Sequence, residues 1–335
     1  MSRRTIPGLG VPDPELEREI RSRLDEVEQA LEKAVKADSH LLAETARYLL
    51  AAGGKRFRPM LLLLSGYFGD PADPRLVPGA VAIELVHAAT LYHDDVIDEA
   101  DSRHGVSSVN ARWDNTVAIL TGDYLFARAS EISAELGTDV ISLLARTIAT
   151  LCDGQIREVE ASGGVEQSEA AYLEVIRRKT GALIATSCRL GGMLSDTADA
   201  HLSVLESYGE ALGMAFQLSD DIMDVISSAE ELGKEPGVDM REGVYTLPVL
   251  LALRGGPERE ELAALLRGGP PEGERLQRAL EIVREPSTLA EARAVVATEV
   301  DRAQELAARL PDGPARTALV RLSEFLAVRC GARQT

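Results

Sequence analysis

At 335 residues, 45% hydrophobic and 27% charged, the chain is long enough for a large core, and its length alone allows one to three domains. A formal charge of −18 argues against nucleic acid or an anionic membrane surface as the main partner. The three cysteines (Cys152, Cys188 and Cys330) lack metal or redox spacing, so buried thiols in a reducing compartment are expected.

Residues 1–12 are rich in Gly and Pro and carry an arginine pair without a following apolar stretch. They predict a flexible tail rather than a signal peptide, ahead of one domain over 13–335. No apolar run reaches about 18 residues, so no transmembrane segment and a cytoplasmic protein are expected. From Pro14 onward Leu16, Ile20, Leu24, Val27 and Leu31 recur at helical spacing. A second helix stops at Gly53-Gly54. The patterning predicts helices near 58–68, 76–100, 113–135, 138–161, 168–195, 199–228 and 245–254. Shorter ones follow near 258–267, 273–284, 288–309 and 314–330. Strand and hairpin signals are nearly absent, and neither a linker nor a fixed-period repeat is visible. The fold class is all-α.

The motifs follow the same order. Gly53–Pro59 reads GGKRFRP: the glycines permit a tight turn and Pro59 suits a helix start. Lys55, Arg56 and Arg58 crowd that helix N-terminus, where free N–H groups also favour an anion, so the three cations predict a phosphate clamp. His87 lies two turns before Asp94 on nearly the same face, a candidate substrate contact if not a packed core histidine. HDDVIDEAD then closes an apolar run. Asp94, Asp98 and Asp101 share a helix face, and like charges at that spacing repel by about a few tenths of a kcal/mol per pair. Arg103 and His104 follow. RRKTG, Arg177–Gly181, offers Lys179 and Thr180. FQLSDDIMD, Phe216–Asp224, repeats the acidic pattern with Asp220, Asp221 and Asp224, and Gln217 precedes it by one turn. The polar stretch from Leu232 to Pro248 reads as a loop able to close over a charged site through Lys234.

One such acidic cluster could be a solvated helix end. Two, each closing an apolar helix, predict paired acidic walls at the mouth of an apolar cavity if their helices face each other. Oxygen-only ligands with no cysteine nearby suit Mg²⁺. No Ser-His-Asp, Cys-His, dinucleotide-binding or P-loop pattern is present. Loss of diphosphate from an allylic carbon needs only this equipment: metal ions for the leaving charge and a dry cavity around the cation. A second substrate, held by the basic clamp, then attacks through its double bond.

With GGKRFRP, HDDVIDEAD, RRKTG, FQLSDDIMD and LGKEPGVD in this order, the chain resembles the trans-isoprenyl (polyprenyl) diphosphate synthase family over about residues 15–330. The resemblance implies a single-domain bundle of about a dozen helices around a central apolar cavity, usually a homodimer, using three Mg²⁺. It implies that Asp94, Asp95, Asp98, Asp220, Asp221 and Asp224 hold the metals. Arg103, Lys179, Gln217 and Lys234 would bind the allylic diphosphate, and Lys55, Arg58 and His87 isopentenyl diphosphate. Lys179, Thr180 and Gln217 would be catalytic, with released diphosphate as the final base. Two positions depart from the family pattern. His104 stands where a second arginine that contacts isopentenyl diphosphate is common, and Val244 follows Gly243 where the lid loop usually has another lysine.

Product length is read from Ala89 and Thr90, five and four residues before Asp94. In short-chain members bulky aromatics there block the tunnel. Here nothing larger than threonine does, which predicts a long product, hexaprenyl to decaprenyl, for quinone side chains and membrane delivery. A floor from another helix would instead stop growth at geranylgeranyl diphosphate. A class I terpene cyclase, which has no need of GGKRFRP, and a non-catalytic partner subunit, which typically loses aspartates, fit less well.

Overall fold

The computed structural model describes residues 13–103, 105–161, 167–227 and 236–333. They fall into two compact units. Met1–Ala149, Leu183–Gly209 and Leu306–Arg321 make the first; Thr150–Ala182, Glu210–Glu305 and Leu322–Thr335 make the second. Each is assembled from separate stretches, so cutting one peptide bond would not part them. The predicted tail over 1–12 lies outside the described residues.

The first unit opens with α1 (Pro14–Ala34), capped by the Asp13 carboxylate accepting from the Glu15 and Leu16 amides, with the predicted stripe from Leu16 to Leu31 buried. α2 (His40–Ala52) stops at Gly53, whose φ of 114° suits glycine. α3 (Phe57–Gly66) and α4 (Leu76–Ile97) follow. α4 is long and apolar enough to cross a membrane, yet 67% of its apolar window is buried, and it packs on α1, α3 and α6 (Asn115–Leu136). It is a core helix. Tyr92 fastens it to α2: its hydroxyl donates to the Thr45 carbonyl at 2.5 Å and accepts from the Leu49 amide.

Between α4 and α6 the chain makes a two-residue hairpin that the sequence did not predict, β1 (Ser102–Arg103) against β2 (Val106–Ser107), and then α5 (Val109–Arg112). Strands this short carry no alternation to detect. Side chains fix the loop instead, with Ser108 Oγ and Asn110 Nδ2 both donating to the Ala100 carbonyl.

α7 (Thr138–Ala161) enters the second unit at Thr150. Cys188 and Cys330 are buried as expected, but Cys152 is exposed, because it shares the outer stripe of α7 with Ile156 and Val159. α8 (Glu169–Ile176) runs through a π-helical turn, Arg177–Gly181, into α9 (Ala182–Leu194), where the sequence predicted one regular helix. α10 (Asp199–Ile226) carries the second acidic motif. The predicted loop contains a short helix, α11 (Val238–Arg241). α12 (Leu247–Arg254), α13 (Arg259–Arg267), α14 (Gly273–Val283), α15 (Pro286–Ala307) and α16 (Pro314–Arg329) complete the chain close to their predicted bounds.

Candidate functional site

The first aspartate cluster ends α4. Asp94 is half-buried and Asp98, the C-cap residue, is exposed, while Asp95 turns inward and is 1% exposed. Its Oδ1 accepts from Arg103 Nε at 2.7 Å and Nη2 at 2.6 Å, so the unpredicted hairpin delivers Arg103 to the first aspartate cluster. Asn110 Nδ2 donates to the Asp95 carbonyl and holds the same turn. The Arg103 charge offsets that of Asp95, the buried member of the cluster.

The second cluster is wired differently. Asp221 is 2% exposed and accepts at Oδ2 from the Tyr172 hydroxyl and at Oδ1 from Gln217 Nε2 at 2.9 Å. Thr180 Oγ1 donates to Gln217 Oε1 at 2.9 Å, so the π turn, Gln217 and Asp221 form one hydrogen-bonded chain. Burial pushes the Asp221 carboxyl up to about 7. The Tyr172 and Gln217 bonds oppose that, and its neighbours Asp220 and Asp224 reinforce it. Asp220 pairs with Arg329 near the end of α16, whose guanidinium also lies over the Phe216 ring at 5.7 Å. Asp224 holds α11: its Oδ1 and Oδ2 accept from the Val238 and Asp239 amides at 3.3 Å, and its carbonyl from the Gly237 amide. The start of α11 is thus anchored on a residue predicted to hold a metal.

Lys179 lies in the π turn and pairs with Glu158 of α7. π turns recur at functional sites because the extra residue re-aims side chains. Gly154 is what lets α7 come close here. A Cβ on it would stand 2.9 Å from the Lys179 backbone nitrogen.

The three cations of GGKRFRP part company. Arg56 is buried against Glu28, Glu84 and the Leu50 carbonyl, so of the three cations read as a phosphate clamp it is the one held inward. Lys55 is exposed. Arg58 is half-buried, with its Nε inside the protein and without a hydrogen-bond partner among the described residues, and desolvation pushes its pKa down to about 10 against the field of Glu84. A buried donor of this kind suits an anionic ligand. His87 is half-buried on α4, three residues after Glu84. His104 and Lys234 lie outside the described residues.

Ala89 is fully buried and Thr90 Oγ1 donates to the His87 carbonyl at 2.8 Å, so neither raises bulk on the helix. Three residues before Ala89, Val86 lines a partly open cavity of about 240 Å³, together with Ala129 and Ser133 of α6 and Ile141, Leu144 and Ile148 of α7. Drug-sized sites run to about 300–1,000 Å³, so this space suits part of an elongated apolar ligand. Val86 lies eight residues before Asp94, about 12 Å along the helix.

Sequence reasoning missed Glu84, Glu158, Tyr172 and Arg329. Tyr172 stands two turns before Lys179 and Glu84 interrupts an apolar run, faint signals without the fold. Among the described residues, no three Asp, Glu, His or Cys side chains converge on a metal-ligating point. The donors are nonetheless all hard oxygens. That fits Mg²⁺, which takes one or two carboxylates and completes its shell with water and substrate phosphate.

Known proteins resemble this chain in sequence and fold. A family model described as Polyprenyl synthetase matches residues 39–283. The chain is 41% identical over 328 residues to a nonaprenyl diphosphate synthase of Mycobacterium tuberculosis, covering 97% of this chain and 98% of that protein. Among solved structures, a geranylgeranyl pyrophosphate synthase from Corynebacterium glutamicum, complexed with calcium and isoprenyl diphosphate, is similar with a TM-score of 0.86. Its identity is 41%, and the match covers 96% of this chain and 99% of that one. A decaprenyl diphosphate synthase from Rhodobacter capsulatus is similar with a TM-score of 0.87 and 33% identity, covering 94% and 98%.

Proposed function

The chain belongs to the polyprenyl synthetase family of prenyltransferases, and on that premise we propose that it is a Mg²⁺-dependent trans-polyprenyl diphosphate synthase. It condenses isopentenyl diphosphate head-to-tail onto farnesyl or geranylgeranyl diphosphate and extends it to a long chain, hexaprenyl to decaprenyl. The observation that carries the long product is the lining of α4. Ala89 and Thr90 are small, and Val86, one turn further from the aspartates on the same helix, lines a cavity.

Asp94, Asp95, Asp98, Asp220, Asp221 and Asp224 would hold Mg²⁺, three ions in this reading. When bound, Mg²⁺ neutralises charge on the departing diphosphate. Arg103, Lys179 and Lys234 bind the allylic diphosphate. In binding it, Arg103 and Lys179 exchange Asp95 and Glu158 for phosphate oxygens, a trade between charge-assisted bonds of similar strength. Thr180 fixes the amide of Gln217, and Gln217 in turn orients Asp221. Lys55, Arg58 and His87 receive isopentenyl diphosphate, and His104, standing where the family commonly has an arginine, would be a weaker ligand for it than arginine. The apolar walls at Val86 and Leu144 keep water from the growing tail.

We read the protein as a single domain over 13–335 that works in the cytoplasm as a homodimer, with its product passing to a membrane. The exposed Ile119 and Leu120 of α6 give a second copy an apolar surface to cover. Purified protein incubated with Mg²⁺, farnesyl diphosphate and labelled isopentenyl diphosphate tests the assignment, with products sized by mass spectrometry. Six or more isoprene units are expected. Four units would favour the geranylgeranyl reading, which the Corynebacterium similarity supports. No incorporation would refute the synthase.

A further inference from the structure

The first arginine of GGKRFRP, Arg56, cannot serve a phosphate from where it stands. Arg56 is 7% exposed, and its guanidinium is engaged on three sides. Nε donates to Glu28 Oε1 at 2.7 Å, Nη1 to Glu84 Oε1 at 2.8 Å, and Nη2 to Glu28 Oε2 at 3.2 Å and to the Leu50 carbonyl at 2.9 Å. It therefore ties the start of α3 to α1, α2 and α4. Its backbone is left-handed, with φ of 46°, a conformation that a non-glycine residue keeps only when its surroundings hold it. Lys55 comes before that bend and Arg58 after it, so the bend sets the direction of both.

Glu84 has a double part. It is 5% exposed, bonds Arg56, and places its negative charge close enough to Arg58 to favour that side chain's charged form. Glu28 and Glu84 carry two negative charges against the two positive charges of Arg56 and Arg58, which leaves Lys55 as the net cation at the turn. We propose that Arg56 and Glu84 are a positioning pair that aims Lys55 and Arg58 at the diphosphate of the isopentenyl substrate. This inference rests on the synthase assignment above and goes beyond it by separating the motif's aiming residues from its ligands.

The test is steady-state kinetics on Glu84→Gln and Arg56→Gln, varying isopentenyl diphosphate at saturating farnesyl diphosphate and then the reverse. KM for isopentenyl diphosphate should rise about tenfold, the scale of one charge-assisted hydrogen bond, while KM for farnesyl diphosphate and kcat move by about twofold or less. Arg56→Lys should not restore KM, because an ammonium cannot span Glu28, Glu84 and the Leu50 carbonyl together. Gly54→Ala gives a variant with every charge in place. A Cβ there would stand 2.8 Å from Arg56 Nη1, and KM for isopentenyl diphosphate should rise in the same direction by a smaller factor. If the charge variants do not fold by thermal melting, Gly54→Ala decides the matter. An unchanged or lower KM for isopentenyl diphosphate in the folded variants, or an equal rise for both substrates, overturns the pairing while leaving the synthase assignment standing. A wild-type protein that incorporates no isopentenyl diphosphate overturns the assignment itself, and this inference with it.

Discussion

Replacing Tyr172 with Phe deletes one hydroxyl from a buried position and isolates its bond to the second aspartate cluster. Tyr172 is 4% exposed, and the carboxylate that accepts from it belongs to Asp221, which is more deeply buried still. A hydrogen bond to a charged group contributes about 1.5–3 kcal/mol, and water cannot reach Oδ2 to replace the lost donor. At about 2 °C per kcal/mol, the figure for larger domains, Tyr172→Phe should lower Tm by about 3–6 °C in metal-free buffer at pH 8. The loss should depend on pH. Burial raises the folded pKa of Asp221 to about 7, above its unfolded value, so stability from this group is complete below the unfolded pKa and is lost as pH rises through 7. The Tyr172 bond opposes that rise. Removing it pushes the folded pKa higher, and the gap between wild type and variant should be small near pH 5 and full near pH 8. Circular-dichroism melts of both proteins at the two pH values measure it. A gap of the same size at both, or none at pH 8, would show that the hydroxyl does not support a charged Asp221.

Arg329→Gln removes the cation paired with Asp220. Titration with Mn²⁺ in the absence of substrate should then show severalfold tighter binding, since a fixed positive charge no longer competes for the carboxylate; equal or weaker binding would contradict this. Ala89→Phe should cut the product to four isoprene units or fewer, and Ser133→Phe, which fills the cavity deeper along α4, should stop growth later. Mass spectra with the same product from both variants would refute a tail running along that face. In thiol titration of the native protein, Cys152 should react promptly and Cys188 and Cys330 only after unfolding. Burial pushes the Cys188 thiol up to about 12, which keeps it protonated as well as inaccessible.

The helices were legible because most repeat their apolar positions every three or four residues, while α3 and α4 are apolar nearly all round. The stripe Leu16, Ile20, Leu24, Val27, Leu31 is buried as its spacing required. The candidate aspartates and cations could be singled out for the same local reason: five short motifs hold them. Their partners were not. Arg56 meets Glu28 and Glu84, each 28 residues away, Tyr172 meets Asp221 across 49, and Arg329 meets Asp220 across 109. Nothing in a run of three cations distinguishes the one that turns inward. That choice is made by a left-handed bend at Arg56 and by a glutamate hidden in an apolar helix. The same limit applies to the acidic motifs. Aspartates four apart repel wherever they occur. Here they are offset by Arg103 on a hairpin, Arg329 on the last helix, and a tyrosine and a glutamine at the buried member. Ligand identity is a local property of the sequence. How firmly each carboxylate is held, and so how readily it can be given over to a metal ion, is set by groups that only the fold brings near.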